Sequence, residues 1–171
     1  MKRLGQTMTL LIMYLSAAFG QTAKFAECTY KSSEGVIVSV EYTDKNLSLF
    51  QNKDGTVKGG WLPSIKDIEV ADAKLDACLP TLESTRKLRQ QTREIIKSMG
   101  NCRRQYVGLL VASKQFIRIR ALPPVPVKGV DRFKNWKSEY PEAYDGGSMY
   151  WQIDFDSQAG TFVNLIVGES P

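Results

Sequence analysis

The sequence predicts an α+β protein: an antiparallel sheet of about four to six strands with two helices packed on it. Three observations carry this. Residues 64–79 and 82–98 place apolar side chains at helical spacing. Residues 106–112, 115–122, 149–155 and 161–167 have the alternation or β-branched density of strands. The segments joining those runs in pairs, Ala112-Ser113-Lys114-Gln115 and Asp156-Ser157-Gln158-Ala159-Gly160, are short enough to close hairpins, which makes the neighbours antiparallel.

From the amino end, Lys2 and Arg3 precede an apolar run over 8–19 and a small-residue exit at Ala18-Phe19-Gly20. This is the pattern of a signal peptide, expected to occupy 1–20 and to leave a single α+β domain over 21–171. The run is about a dozen residues, whereas a membrane-crossing helix takes roughly twenty, so no transmembrane span is expected after cleavage. Phe25-Ala26-Glu27 before Cys28 is not a lipobox. The expected location is secreted or periplasmic.

The β-branched run Val36-Ile37-Val38, continuing through Val40-Glu41-Tyr42, predicts a strand over 35–42. Thr43-Asp44-Lys45-Asn46 reads as a turn, 47–50 as a returning strand, and the glycine-rich stretch to Gly60 as a loop. Ser64 is a capping residue with Asp67 three positions on, and Ile68, Ala71, Leu75 and Leu79 form one helical face that Pro80 ends. The second helix carries Leu88, Thr92, Ile95 and Met99 on one side and stops at Gly100. The alternation in Ile117-Arg118-Ile119-Arg120 and Trp151-Gln152-Ile153-Asp154-Phe155 predicts strands with one wet face. Pro123-Pro124-Val125-Pro126 is stiff and extended.

Charge is distributed in blocks. The chain carries a net +5, or +3 without Lys2 and Arg3. Residues 21–84 hold 7 basic and 10 acidic side chains, 85–137 hold 14 and 2, and 138–171 hold none and 6. Such blocks either neutralise one another within the fold or present a charged face to a partner. The basic candidates are Arg86, Arg89, Arg93 and Lys97 on the second helix, with Arg118 and Arg120 on a strand. Their chemistry suits an anionic envelope polymer, a phospholipid surface or an acidic protein, with salt-sensitive binding; nucleic acid is not the expected partner of an exported chain. Phe133, Trp136, Tyr140 and Tyr144 recur at spacings of 3, 4 and 4, either as a recognition platform for sugars or peptides or as a cover for the sheet.

The chain has no histidine, which excludes Ser-His-Asp and Cys-His catalysis in their ordinary forms. Gly55 to Gly60 lack P-loop spacing, the absent histidines weaken a zinc site and no alternating acidic loop marks a calcium site, so no cofactor or metal is expected. Glu142, Asp145, Asp154 and Asp156 are the carboxylates open to a glycan hydrolase, which needs a pair about 5 to 9 Å apart. Cys28, Cys78 and Cys102 are an odd set for an exported chain. If 82–98 is one helix it spans about 25 Å, which separates Cys78 from Cys102 and favours Cys28 in any disulfide; three buried thiols are the alternative.

Arg104-Gln105-Tyr106-Val107-Gly108, Lys114-Gln115-Phe116-Ile117, and Asp145-Gly146-Gly147 followed by Tyr150-Trp151 resemble small secreted bacterial proteins of unknown function, a likeness spanning 62–168. That resemblance implies no activity. Gln105 to Gly108 is also similar to the inhibitory Gln-x-Val-x-Gly hairpin of cystatins, one residue short. The reading is an exported binding or structural module rather than an enzyme, with a carboxylate-dependent glycan hydrolase as the alternative and a cystatin-like protease inhibitor third.

Overall fold

A computed structural model describes residues 25–30, 33–51, 55–81, 86–126, 129–141 and 147–168. The signal peptide expected over 1–20, and Glu142, Tyr144, Asp145 and Gly146, lie outside the described residues. The architecture is α+β. A seven-stranded, mostly antiparallel sheet comprises β1 (Ala26–Tyr30), β2 (Ser33–Ile37), β3 (Val57–Trp61), β4 (Arg103–Val111), β5 (Lys114–Leu122), β6 (Gly147–Asp156) and β7 (Thr161–Gly168). Three helices accompany it: α1 (Val40–Lys45), α2 (Ile65–Cys78) and α3 (Arg86–Ser98). The sheet is thus larger than the four to six strands expected, and a third helix joins the predicted two.

The strand order is β1-β2-β4-β5-β6-β7. One edge of β4 is shared: β2 runs parallel along Arg104 to Tyr106, and β3 runs antiparallel along Gly108 to Val111. Two glycines permit this crowding. A Cβ on Gly108 would land on the Trp61 carbonyl, and one on Gly60 would sit 2.9 Å from Thr43 Cβ where α1 crosses β3. The loop expected around Gly59 and Gly60 is therefore a strand, its glycines serving close approach rather than a turn.

The expected strand over 35–42 stops at Ile37. Ser39 Oγ accepts from the Tyr42 amide at 3.2 Å, and this cap turns Val40-Glu41-Tyr42 into the first turn of α1 despite the β-branched run that leads into them. Leu47–Phe50 is a 3-10 turn, not a returning strand. In contrast, α2 begins as its sequence dictates: Ser64 and Asp67 form a reciprocal capping box, and Ile68, Ala71 and Leu75 point inward. Ala112-Ser113 closes the β4–β5 hairpin with Ala112 at φ 54°, and Ser157 to Gly160 close β6–β7.

Both faces of the sheet are covered, which replaces the expected wet face. On one, Ile68, Leu75 and Leu79 from the α2 region and Ile95 and Met99 from the α3 region pack with Tyr106, Ile117, Ile119, Trp151 and Ile153. On the other, Val107, Leu109, Phe116, Leu122 and Tyr150 lie beneath Phe50, Trp136 and Tyr140, with Tyr42, Leu47 and Phe133 packed around them.

Candidate functional site

The second face holds the densest polar chemistry in the described residues. Strand alternation sends Arg103, Gln105, Arg118, Arg120 and Asp154 to the same side as Val107 and Tyr150, and the segments lying over them cut them off from water. Arg118 and Asp154 face each other across β5 and β6 and form a two-pronged pair, with Nε to Oδ1 at 2.7 Å and Nη2 to Oδ2 at 3.0 Å. Their side chains are only 3% and 1% exposed. Arg118 Nη2 also donates to the Gln51 carbonyl, and Asn164 Nδ2 donates to Asp154. Asn164 reaches it from a bulge in β7, where it adopts φ 56°, a left-handed conformation asparagine tolerates.

Arg120 lies between two rings, its guanidinium carbon 3.9 Å from the Tyr140 centroid and 4.9 Å from that of Tyr150. It donates to Tyr150 Oη at 2.8 Å and to the Pro141 carbonyl. Gln105 Nε2 donates to the Trp136 and Glu139 carbonyls at 2.6 and 2.7 Å. Arg103 forks onto Asp131 and donates Nε to the Pro123 carbonyl. The Arg103 hydrogen bonds, with a Phe133 amide donating to Asp131, hold the Asp131 carboxyl below its ordinary range. Burial pushes the Tyr150 hydroxyl above its own. Residues 131–141 are thus fixed from beneath.

The helix-covered face has a smaller polar knot. Asp72 of α2 accepts from Arg104 Nη1 at 3.0 Å and Tyr106 Oη at 2.7 Å, and Arg104 Nη2 donates to the Met99 carbonyl. Burial, with the Asp72 carboxylate adding to it, pushes the Cys28 thiol up to about 11, the opposite of what a nucleophilic cysteine needs. Burial and Asp72 likewise hold the Tyr106 phenol protonated. Cys28, Cys78 and Cys102 are all free thiols, with Cys102 Sγ directed at the Met99 carbonyl.

The predicted candidates divide sharply. Arg118 and Arg120, expected on a solvated face, are buried and engaged. Trp136 and Tyr140, weighed as a platform or a cover, are 4% and 8% exposed and lie within the cover. Arg93 and Lys97 are exposed on α3. Arg86 and Arg89 belong to the same helix, whose thirteen residues hold five arginines and lysines and one acid. Asp156 accepts the Gln158 and Ala159 amides and pairs with Lys114 at 3.2 Å, and the Ala159 bond leads in lowering its pKa. Gln105 to Gly108 lie inside β4 rather than at a hairpin turn. Beside the Ala112-Ser113 turn is a 340 Å³ pocket lined by Val111, Lys114, Phe116, Asp156 and Val163 among others; its two charged groups are the pair just described.

Asp131 carries no sequence signal of its own, and Gln105 and Tyr150 stand out in the sequence only as members of the quoted motifs, not for these contacts. A usable signal did exist: Arg118 and Asp154 alternate with apolar residues on two neighbouring predicted strands, and opposite charges on one strand face can pair across it. Fold and network together define the class, an α+β protein on a mixed sheet with charge pairs buried against both faces. No protein-family model matches the chain, and no curated protein or solved structure matches it either.

Proposed function

We propose that the protein is an exported binding module that meets an anionic polymer of the cell envelope through the basic side of α3. The observation that carries this is the fate of the basic block. Arg103, Arg104 and Arg118 pair with acids of the same chain, while Arg93 and Lys97 stay exposed on a helix with one acid, Glu94. Positions 86, 89, 93 and 97 follow one stripe of a helix with 3.6 residues per turn. No helix among the described residues is long and apolar enough to cross a membrane.

A glycan hydrolase has less support. Asp154 accepts from Arg118 and Asn164 and is only 1% exposed, so it is poorly placed to exchange a proton with a substrate.

The test is retention of the full chain on envelope fractions and on a purified polyanion at low and high salt. The proposal expects capture at low salt, release at high salt, and severalfold weaker capture for Arg93→Ala combined with Lys97→Ala. Capture indifferent to ionic strength and unchanged by the double substitution would overturn it. Natively expressed protein that begins at Met1 in the soluble cell interior would remove the export part.

A further inference from the structure

The β4–β5 and β6–β7 turns lie side by side at one end of the sheet, where the Ser157 amide donates to the Gln115 carbonyl at 3.0 Å. There the second face opens into the 340 Å³ pocket. Val111 pairs with Lys114 and Phe116 with Asp156, so all four side chains leave the same side of the sheet. Val163 completes the lining from β7, a strand that is half-exposed from Phe162 to Gly168. The pocket is at the small end of the range for small-molecule sites, about 300–1,000 Å³, and has their make-up of apolar walls with a few polar groups. Those polar groups select the charge of what enters. Both oxygens of Asp156 are engaged, Oδ1 by the Gln158 and Ala159 amides and Oδ2 by Lys114. The Lys114 side chain is 57% exposed, and Asp156, its partner among the described residues, takes one of three ammonium hydrogens. The site thus has donors to spare and no spare carboxylate oxygen. Its rim adds a second observation. Ala112 lines the pocket at φ 54°, in a two-residue hairpin turn where glycine is the ordinary residue and a Cβ carries a steric cost. Non-glycine residues held in such conformations collect at binding sites.

We propose that this pocket binds a medium-chain carboxylate, with the carboxylate on the Lys114 ammonium and the hydrocarbon against Val111, Phe116 and Val163. One ammonium matches a singly charged head rather than a phosphate dianion, and the three apolar side chains reward an alkyl body by burying it. Lys114 keeps its bond to Asp156 while donating its remaining hydrogens to the ligand, so no buried pair has to break. The site is separate from the basic side of α3 and does not rest on it.

Titration of the full chain with octanoate, followed by calorimetry and by backbone amide NMR shifts, tests this. The expected result is one saturable site, with the largest shifts at Ala112, Ser113 and Lys114. Lys114→Met keeps the alkyl stem and removes the charge, so it should weaken octanoate binding about tenfold and leave octanol binding little changed; matched melting curves establish that the variant folds. Ala112→Gly should raise the melting temperature by relieving the left-handed alanine, yet weaken octanoate binding severalfold by removing a methyl from the wall. A turn without a ligand would show the first effect alone. No saturation by about 10 mM octanoate, octylammonium or acetate bound as tightly as octanoate, shifts confined to α3, or parent-like octanoate binding by Lys114→Met would each overturn the proposal.

Discussion

The two faces of the sheet are closed by different means. Over one lie α2 and α3, whose backbones bond within themselves, so Leu75 and Ile95 join Ile117 and Trp151 through apolar contact. Over the other lie the short helix α1, a 3-10 turn and residues 131–141, a cover in which several carbonyls have no backbone donor. The carbonyls of Gln51, Pro123, Trp136, Glu139 and Pro141 accept from Arg118, Arg103, Gln105 and Arg120 rooted in the sheet below. Even on the helical face, Arg104 finds its carbonyl at Met99, just past the end of α3, where a helix runs out of internal donors. A cover that bonds only part of its own backbone takes donors from beneath, and a guanidinium on a strand supplies several at once.

The largest effect should come from breaking the Arg118–Asp154 pair. Asp154→Ala should cost about 3–5 kcal/mol in urea unfolding, because it strands a buried guanidinium. A loss under 1 kcal/mol would mean that water reaches that face. Leu75→Ala, at the centre of the helical face, should cost about 2–5 kcal/mol, but with a different signature. Its hydrogen exchange should rise globally, whereas Gln105→Ala, costing about 1–3 kcal/mol, should release residues 131–141 selectively. Equal release of both covers in both variants would erase the distinction between the faces.

Acid should act mainly on the second face. Asp131 and Asp156 have lowered folded-state pKa values, so the stability they add is present above their unfolded values and is lost as pH falls through the folded ones. Unfolding free energy should drop below about pH 4, and Asp131→Asn should flatten that slope. Alkali works through groups buried neutral. Cys28, raised from 9.0 to about 11, favours folding below its unfolded value, and that contribution disappears as pH climbs through about 11. Cys28→Ala should shallow the alkaline loss, read by thermal melts. The smallest effect belongs to Arg93→Ala with Lys97→Ala, within about 0.5 kcal/mol, as exposed charges seldom stabilise more.

What the sequence made legible was local. The capping box at Ser64 and Asp67 and the apolar spacing from Ile68 to Leu75 predicted α2 because every determinant lies within one helix. The Ala112-Ser113 and 157–160 connections predicted the hairpins for the same reason. The Ser39 cap was equally local but was outweighed by the β-branched run around it. The interior arginines were harder to place. An Ile-Arg-Ile-Arg strand alternates identically whether its arginines meet water or a buried partner, and the partners of Arg118 and Arg120, Asp154 and Pro141, come from elsewhere in the chain. The half-exposed state of β7 was not legible either, because it depends on how far the covering layers extend.

The account rests on four arginines of the basic block, Arg103, Arg104, Arg118 and Arg120, facing inward, and arginine-specific modification of the folded chain by phenylglyoxal, read by peptide mass spectrometry, tests that directly. It predicts rapid labelling of Arg93, with Arg103, Arg104, Arg118 and Arg120 protected until the protein unfolds. Labelling of Arg118 and Arg120 in the native state at the rate of Arg93 would contradict it.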